Sequence, residues 1–79
     1  MYGNQDEWVA YDPTSFGRAI AYFRESADLT QEQLAQLSGL HRPYLSRLER
    51  GKASEQTERL FRVLRRLNLE VVVRPRRFR

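Results

Sequence analysis

Apolar residues recur at helical spacing through most of this chain and give way to a valine-rich run near its end. From Phe16 to Leu67 they return every three or four positions, which is the period of one helix face. From Leu69 to Arg74 the sequence reads LEVVVR, a run rich in β-branched residues that Pro75 stops. The pattern predicts a mainly α protein of four to five helices that ends in one strand.

The start of the chain is less regular than its middle. Residues 1–13 show no clear period, although three of them are aromatic: Tyr2, Trp8 and Tyr11. They favour a short extended arm that packs on the domain, with a disordered terminus as the alternative. Thr14 or Ser15 can then cap a first helix that runs to about Ala27.

Two short helices joined by a tight turn are predicted between residues 29 and 51, LTQEQLAQLSGLHRPYLSRLERG. Thr30 and Gln33 have the spacing of a capping box at the start of the first helix. Gly39 can take the positive φ that ends that helix, and Gly51 ends the second. A helix, a short turn with glycine and a second helix form the helix-turn-helix signature.

The second helix of this motif carries positive charge on its outward face. Leu45 and Leu48 define the inward face, at 100° per residue along the helix. The residues on the opposite side, the first of them at its leading edge, are Arg42, Pro43, Ser46, Arg47 and Arg50. Arginines and a hydroxyl on one face suit contacts with phosphates and base edges. A solvated basic surface is the alternative.

Positive charge is concentrated in the second half of the chain. The 79 residues carry a net charge of +4, with a pI near 10.1. Residues 1–40 hold two arginines and six acids, whereas residues 41–79 hold twelve lysines and arginines and four acids. The basic half begins at the second helix of the motif, which is typical of a nucleic-acid binder. A basic tail that only raises solubility is the alternative.

The composition argues against several other classes of protein. There is no cysteine and only one histidine, so no disulfide, metal site or cofactor is expected. That histidine, His41, has no acid predicted within reach, and no enzyme activity is expected. No apolar run approaches the roughly 20 residues that span a bilayer, so a cytoplasmic protein without membrane contacts is predicted. RNA binding would need an aromatic stacking platform that the pattern lacks.

Three segments, LTQEQLA, SGL and YLSRLERGK, resemble the lambda-repressor/Cro-like helix-turn-helix family, also called the XRE family, over about residues 15 to 68. The resemblance implies a structural ion pair between Arg24 and Glu49, which joins the first helix to the DNA-recognition helix. It also implies that Gln31 braces the recognition helix. The implied base contacts are His41, Arg42, Pro43, Ser46 and Arg47. The expected phosphate contacts are Gln31, Tyr44, Arg50 and Lys52.

Two positions depart from the family pattern. Family members usually have a small polar residue where this chain has His41, and rarely a proline at the position of Pro43. A proline is tolerated in a first helical turn, where its missing N–H would be unpaired anyway. It also disfavours helical geometry at Arg42, which predicts a recognition helix that starts one residue late.

The terminal strand extends the resemblance. A lone strand leaves its backbone groups unpaired, so the expected partner is the same strand of a second copy, antiparallel across a two-fold axis. The residues of this dimer interface would be Leu69, Val71, Val72 and Val73. Pairing with a weak strand at residues 8–11 is the alternative. A helix-turn-helix domain closed by a valine-rich strand is similar to HipB-like antitoxins, which repress their own operon and bind a HipA-like serine/threonine kinase toxin.

The expected organisation is an arm at 1–13, a lambda-repressor-like domain at 14–68, a dimerising strand at 69–74 and a basic tail at 75–79. The expected function is that of a repressor that binds a palindromic operator in double-stranded DNA as a homodimer, and the resemblance implies an antitoxin. Two alternatives are a protein-interaction module that mainly neutralises a toxin and a stand-alone or phage-type repressor without a toxin partner.

Overall fold

The computed structural model describes residues 7–52 and 54–76, and it confirms a mainly α fold. The described part contains four helices and a small two-stranded sheet. In chain order the elements are β1 (Trp8–Ala10), α1 (Pro13–Ser26), α2 (Gln31–Ser38), α3 (Arg42–Glu49), α4 (Glu55–Arg66) and β2 (Val71–Val73). No helix in this part of the chain has both the length and the apolar content needed to cross a membrane.

The first helix begins earlier than its sequence suggests. Asp12 is the N-cap, and its carboxylate accepts a hydrogen bond from the Ser15 N–H at 2.7 Å. The expectation that Thr14 or Ser15 caps α1 is therefore wrong. Pro13 is already preset for helical φ and needs no hydrogen-bond acceptor for its nitrogen, so the helix can start there. Hydrogen bonds from the Ser15 backbone and hydroxyl lower the pKa of Asp12.

The second helix has the ends that its sequence predicts. The Gln33 N–H donates to the Thr30 hydroxyl at 3.0 Å, and the Thr30 N–H donates to Gln33 Oε1 at 2.8 Å, which confirms the capping box. Gly39 ends the helix with a φ of 69°. The turn that aims α3 is therefore set by local hydrogen bonds and one left-handed glycine.

A small core joins the helices. The buried hydrophobic residues among those described are Ala10, Ala19, Ala35, Leu45 and Phe61. The ring of Phe61 on α4 lies 5.9 Å from that of Phe16 on α1. Because three of the five are alanines, α1, α2 and β1 approach their neighbours closely.

The backbones of α1 and α3 come very close to each other at Gly17. A Cβ atom at this position would lie 2.3 Å from the Leu48 carbonyl oxygen and 2.8 Å from that of Glu49. Backbone atoms cannot rotate away as a side chain can. The position of α3 on the domain therefore depends on a residue without a side chain.

The terminal strand pairs with the start of the same chain. β1 and β2 are antiparallel, with Val9 opposite Val72 at the centre of the register. The ring of Trp8 lies 5.1 Å from that of Tyr22 on α1, which docks the sheet on the helices. The expected arm is therefore a strand over Trp8–Ala10.

This pairing gives β2 a partner within its own chain. The expectation that β2 lacks a partner within its own chain is wrong, and the alternative pairing with residues 8–11 is confirmed. Val71 and Val73 are half-buried, whereas Leu69 and Val72 are exposed. Pairing of the outer edge of β2 across a homodimer stays a prediction. Tyr2 and residues 77–79 of the basic tail lie outside the described residues.

Candidate nucleic-acid interface

Helix α3 is anchored by one face and open on the other. Leu45 is buried against the domain, as its inward position in the pattern predicts. The helix begins at Arg42, with His41 as an N-cap that makes no side-chain capping hydrogen bond. The predicted late start is wrong, because Pro43 occupies the second helical position, where the lost N–H costs no intrahelical bond.

The residues expected to contact bases fall on the open side, with one exception. His41, Arg42, Pro43 and Arg47 are exposed, whereas Ser46 is half-buried. The four exposed side chains come from the N-cap, the first turn and the next turn of one helix, so they form a continuous surface. Ser46 lies at its edge and reaches less far.

The positive charges of this surface have no ion-pair partner among the residues that the structure describes. The cations of α3 and the loop that follows it are Arg42, Arg47, Arg50 and Lys52. Within residues 7–52 and 54–76 none of them lies within 4.0 Å of a carboxylate oxygen, whereas Arg24, Arg59 and Arg74 each form an ion pair. The open face of α3 and the loop after it therefore present four cations that are available to an anionic ligand.

The one acid of α3 is turned into the protein. Arg24 Nε donates to Glu49 Oε2 at 2.6 Å, and Arg24 Nη2 donates to Glu49 Oε1 at 3.0 Å. Gln31 Nε2 donates to the same Oε1 at 2.9 Å. The ion pair that the resemblance implies is present, with side chains only 11% and 6% exposed. It joins α1, α2 and α3 and removes a negative charge from the open face.

Burial and pairing act in opposite directions on this carboxylate. Burial alone would raise the pKa of Glu49, but the hydrogen bonds from Arg24 and Gln31 and the charge of Arg24 lower it below its ordinary value. The hydrogen bond to Glu49 raises the pKa of Arg24, despite its burial. Both groups stay charged, and the pair stays neutral as a unit.

Gln31 contributes to the site through this network. Its amide nitrogen donates to Glu49, so the residue links the start of α2 to the end of α3. It is the first residue of α2 and is half-buried. A phosphate contact from the same residue stays a prediction.

A basic cleft of about 320 Å³ lies between α3, the following loop and the start of α4. Its lining residues are Tyr44, Arg47, Leu48, Lys52, Ser54 and Thr57. Two cations and three hydroxyl groups thus face a space next to a helix N-terminus, a combination suited to a phosphate. Arg47, an expected base contact, here lies beside Tyr44 and Lys52, which are expected phosphate contacts.

Ser54 and Thr57 are site residues that the sequence did not single out. Ser54 is the N-cap of α4, and its hydroxyl accepts a hydrogen bond from the Thr57 N–H at 3.3 Å. In the sequence, only the position of Ser54 two residues after Lys52 pointed to a place in this site. The cleft itself forms only when α4 packs beside α3. Within the described ranges no three His, Asp or Glu side chains come together as a metal site requires.

Comparison with known proteins agrees with this geometry. The profile of the helix-turn-helix family matches residues 20–73, which is well over half of the chain. Searches of curated proteins and of solved structures found no match. The matched segment includes the Arg24–Glu49 pair, the turn at Gly39 and the whole of α3. The chain therefore belongs to the lambda-repressor/Cro-like, or XRE, family of helix-turn-helix proteins and is a DNA-binding transcription regulator.

Proposed function

We propose that this protein is a transcriptional repressor that binds a palindromic operator as a homodimer, with α3 of each protomer in the major groove. The observation that carries the proposal is the open face of α3. Arg42 and Arg47 there form no ion pair within the described residues, and the charge of Glu49 is buried and paired with Arg24. An α-helix with its side chains is about 10–12 Å across, so α3 fits a major groove about 12 Å wide.

Base recognition is assigned to the exposed part of the α3 surface. Arg42 and Arg47 present guanidinium groups that can bind guanine O6 and N7 in bidentate fashion. His41 and Pro43 stand beside them in the first turn and shape the approach to the groove. Ser46 is half-buried, so its short side chain can contact a base only where the DNA comes close to α3.

Phosphate contacts are assigned to residues that flank this surface. The proposed contacts are Gln31, Tyr44, Arg50 and Lys52, with Ser54 and Thr57 added from the basic cleft. Hydroxyl groups and cations of this kind fix the register of a protein on the duplex and carry no sequence information. The cleft would seat the phosphate nearest the loop between α3 and α4.

Arg47→Ala should weaken binding to the preferred sequence by about 1–3 kcal/mol and relax one base position in each half-site. The reason is the loss of a bidentate contact with one base. Titrating wild type and variant against the selected duplex and against its single-base variants, by fluorescence anisotropy, measures both effects. Arg74→Ala is the matched control, because it removes the same charge from an arginine paired with Glu7. An equal loss of affinity for all sequences would identify Arg47 as a phosphate contact.

Binding should depend steeply on salt. If a dimer neutralises about 6–8 phosphates, the plot of log affinity against log salt concentration has a slope of roughly −5 to −7. Lys52→Ala should weaken binding to all sequences alike and make the slope shallower by about 1 for each protomer's lost contact. The same titration at several salt concentrations measures the slope. A slope near zero would contradict phosphate-based docking.

The resemblance to HipB-like antitoxins extends the proposal to a protein partner. A valine-rich β2 follows the domain directly, as in those proteins, and the partner would be a HipA-like serine/threonine kinase toxin. A gel shift with the DNA upstream of the gene, with and without the neighbouring gene product, tests this. Operator binding without capture of that product would support a stand-alone repressor. Capture without operator binding would support an interaction module.

A further inference from the structure

Pro43 lies at the centre of the open face of α3. At about 100° per residue, it stands roughly 160° around the helix from the buried Leu45 and roughly 140° from the half-buried Leu48. Arg47 and Arg50 follow it along the same strip, within about 60° of arc. Pro43 is therefore the side chain of the first turn that points most directly away from the core.

The chemistry of Pro43 differs from that of the exposed arginines beside it. Its ring carries no hydrogen-bond donor or acceptor, and its backbone nitrogen has no hydrogen to donate. All eight residues of α3 are described, and among them Pro43 alone is apolar and lies on this face. Tyr44 lies about 100° further round the helix and lines the basic cleft instead. The side chain of Pro43 can therefore read a base only through nonpolar contact.

Thymine offers the clearest nonpolar target in the major groove. All four bases present hydrogen-bonding groups there, and thymine alone adds a methyl group, on its C5 atom. A nonpolar ring pressed against the N7 atom of a purine would displace water and return no hydrogen bond, which weakens binding. Against a methyl group the same ring buries apolar surface, which favours binding. Pro43 therefore favours a methylated pyrimidine over a purine.

The rigidity of proline strengthens this preference. The pyrrolidine ring fixes φ, and burial of the ring costs no side-chain rotamer freedom. Arg42 and Arg47, by contrast, must order long side chains when they hold a base. Pro43 is also part of the first turn of α3, so its ring is already in place before DNA arrives. Nearly all of the gain from burying the methyl group therefore appears as affinity.

We infer that Pro43 is a specificity-determining residue that reads the 5-methyl group of a pyrimidine in each half-site. The inference rests on the proposed function, since it requires α3 in the major groove. Pro43 and Arg47 are about 6 Å apart along the helix, and successive bases of a strand are about 3.4 Å apart. The thymine therefore lies within about two base pairs of the guanine that Arg47 binds. Because 5-methylcytosine carries the same methyl group at the same place, it should replace thymine better than cytosine does.

Removal of the methyl group from the DNA tests the contact directly. In the duplex that wild type selects, each thymine of a half-site is replaced in turn by uracil, which still pairs with adenine and lacks only the methyl group. One position should be sensitive, with binding about 4-fold weaker for each methyl group lost and about 15-fold weaker when both half-sites are changed. Fluorescence anisotropy with the full chain measures these affinities. Uracil at thymines outside the repeat is the control and should change nothing.

Variants at position 43 link the methyl group to the proline. Pro43→Gly removes the nonpolar side chain, and Pro43→Ala keeps one carbon of it. The ratio of affinities for the thymine and uracil duplexes should fall from about 4 per half-site in wild type to about 1 in Pro43→Gly, with Pro43→Ala between them. Because both affinities belong to one protein, any loss of helix stability cancels from the ratio. Arg74→Ala, which alters the ion pair with Glu7, is the control and should keep the wild-type ratio.

Methylation of cytosine gives a second readout. At the sensitive position a cytosine–guanine pair should weaken binding. A 5-methylcytosine in the same pair should recover about 4-fold of that loss for each half-site. Pro43→Gly should bind the two cytosine duplexes equally.

Three outcomes would overturn the inference: no thymine whose replacement by uracil weakens binding, a ratio in Pro43→Gly equal to that of wild type, or no gain from 5-methylcytosine. Tight binding to the selected duplex would in each case leave the proposed function standing. A wild type that binds no duplex at all would overturn the proposed function and this inference with it.

Discussion

Glu49→Ala should lower the free energy of unfolding by about 3–5 kcal/mol, because it leaves the Arg24 guanidinium buried without its anion. The Arg24 side chain is only 11% exposed, and its remaining strong acceptor is the Leu29 carbonyl at 2.7 Å. Gln31 loses its acceptor at the same time. Urea denaturation followed by circular dichroism measures the change. A loss of this size is a large part of the stability of a small domain.

Two controls separate this pair from ordinary surface charge. Glu25 also approaches Arg24, at 3.6 Å, but it is 71% exposed, so Glu25→Ala should cost well under about 1 kcal/mol. Glu49→Gln should retain part of the hydrogen bonding while it removes the charge. If Glu49→Ala costs no more than Glu25→Ala, the pair does not hold α3 in place.

The Arg24–Glu49 pair should also make the stability of the fold depend on pH. Glu49 has a lowered pKa in the folded protein, so its ionisation stabilises the fold fully above the ordinary carboxyl value of 4.5. This contribution is lost as the pH falls through the lowered pKa. Glu49→Gln should therefore show a weaker loss of stability between about pH 5 and pH 2 than wild type does. Asp12, whose pKa is also lowered, keeps a part of the slope in both proteins.

Gly17→Ala should be destabilising by about 3 kcal/mol, at the upper end of what overpacking costs. The new Cβ atom would lie 2.3 Å from the Leu48 carbonyl oxygen, so α1 and α3 must separate. Alanine would favour the helix by up to about 1 kcal/mol, which offsets only part of this cost. Thermal denaturation gives the stability. DNA affinity should fall as well, because α3 moves on the domain.

Gly39→Ala is the matched control for this prediction. Gly39 has positive φ, but a Cβ atom there would meet nothing within 4 Å. The cost should therefore be the backbone strain alone, about 1–2 kcal/mol. A Gly17→Ala variant that is as stable as Gly39→Ala, or more stable, would show that α1 and α3 are free to slide apart.

Local signals allowed the centre of the fold to be predicted. Thr30, Gln33 and Gly39 act within a few residues of one another, so their sequence spacing already fixed the ends of α2. The burial of Leu45 followed from helical periodicity in the same way. Whether Arg42 and Arg47 form ion pairs depends on where the nearby acids lie, and this is known only from the folded chain.

Other features depend on distant parts of the chain, and the sequence could not decide them. β1 has three residues and meets β2 some sixty positions later, and a segment this short shows too little alternation to predict its partner. Thr14 and Ser15 were the expected caps of α1, but Pro13 can occupy the first helical position, which places the cap at Asp12. Gly17 showed no sign of its role, because the close approach of α3 to α1 is a tertiary contact.

The most direct test of the central claim, that the open face of α3 reads duplex DNA, is selection of bound duplexes from a random pool. Wild type should enrich an inverted repeat whose half-site centres lie about 10 base pairs, or 34 Å, apart. Arg47→Ala should enrich the same repeat with one position in each half no longer defined. If wild type enriches no sequence and retains no duplex even in dilute salt, α3 is not a DNA-reading helix.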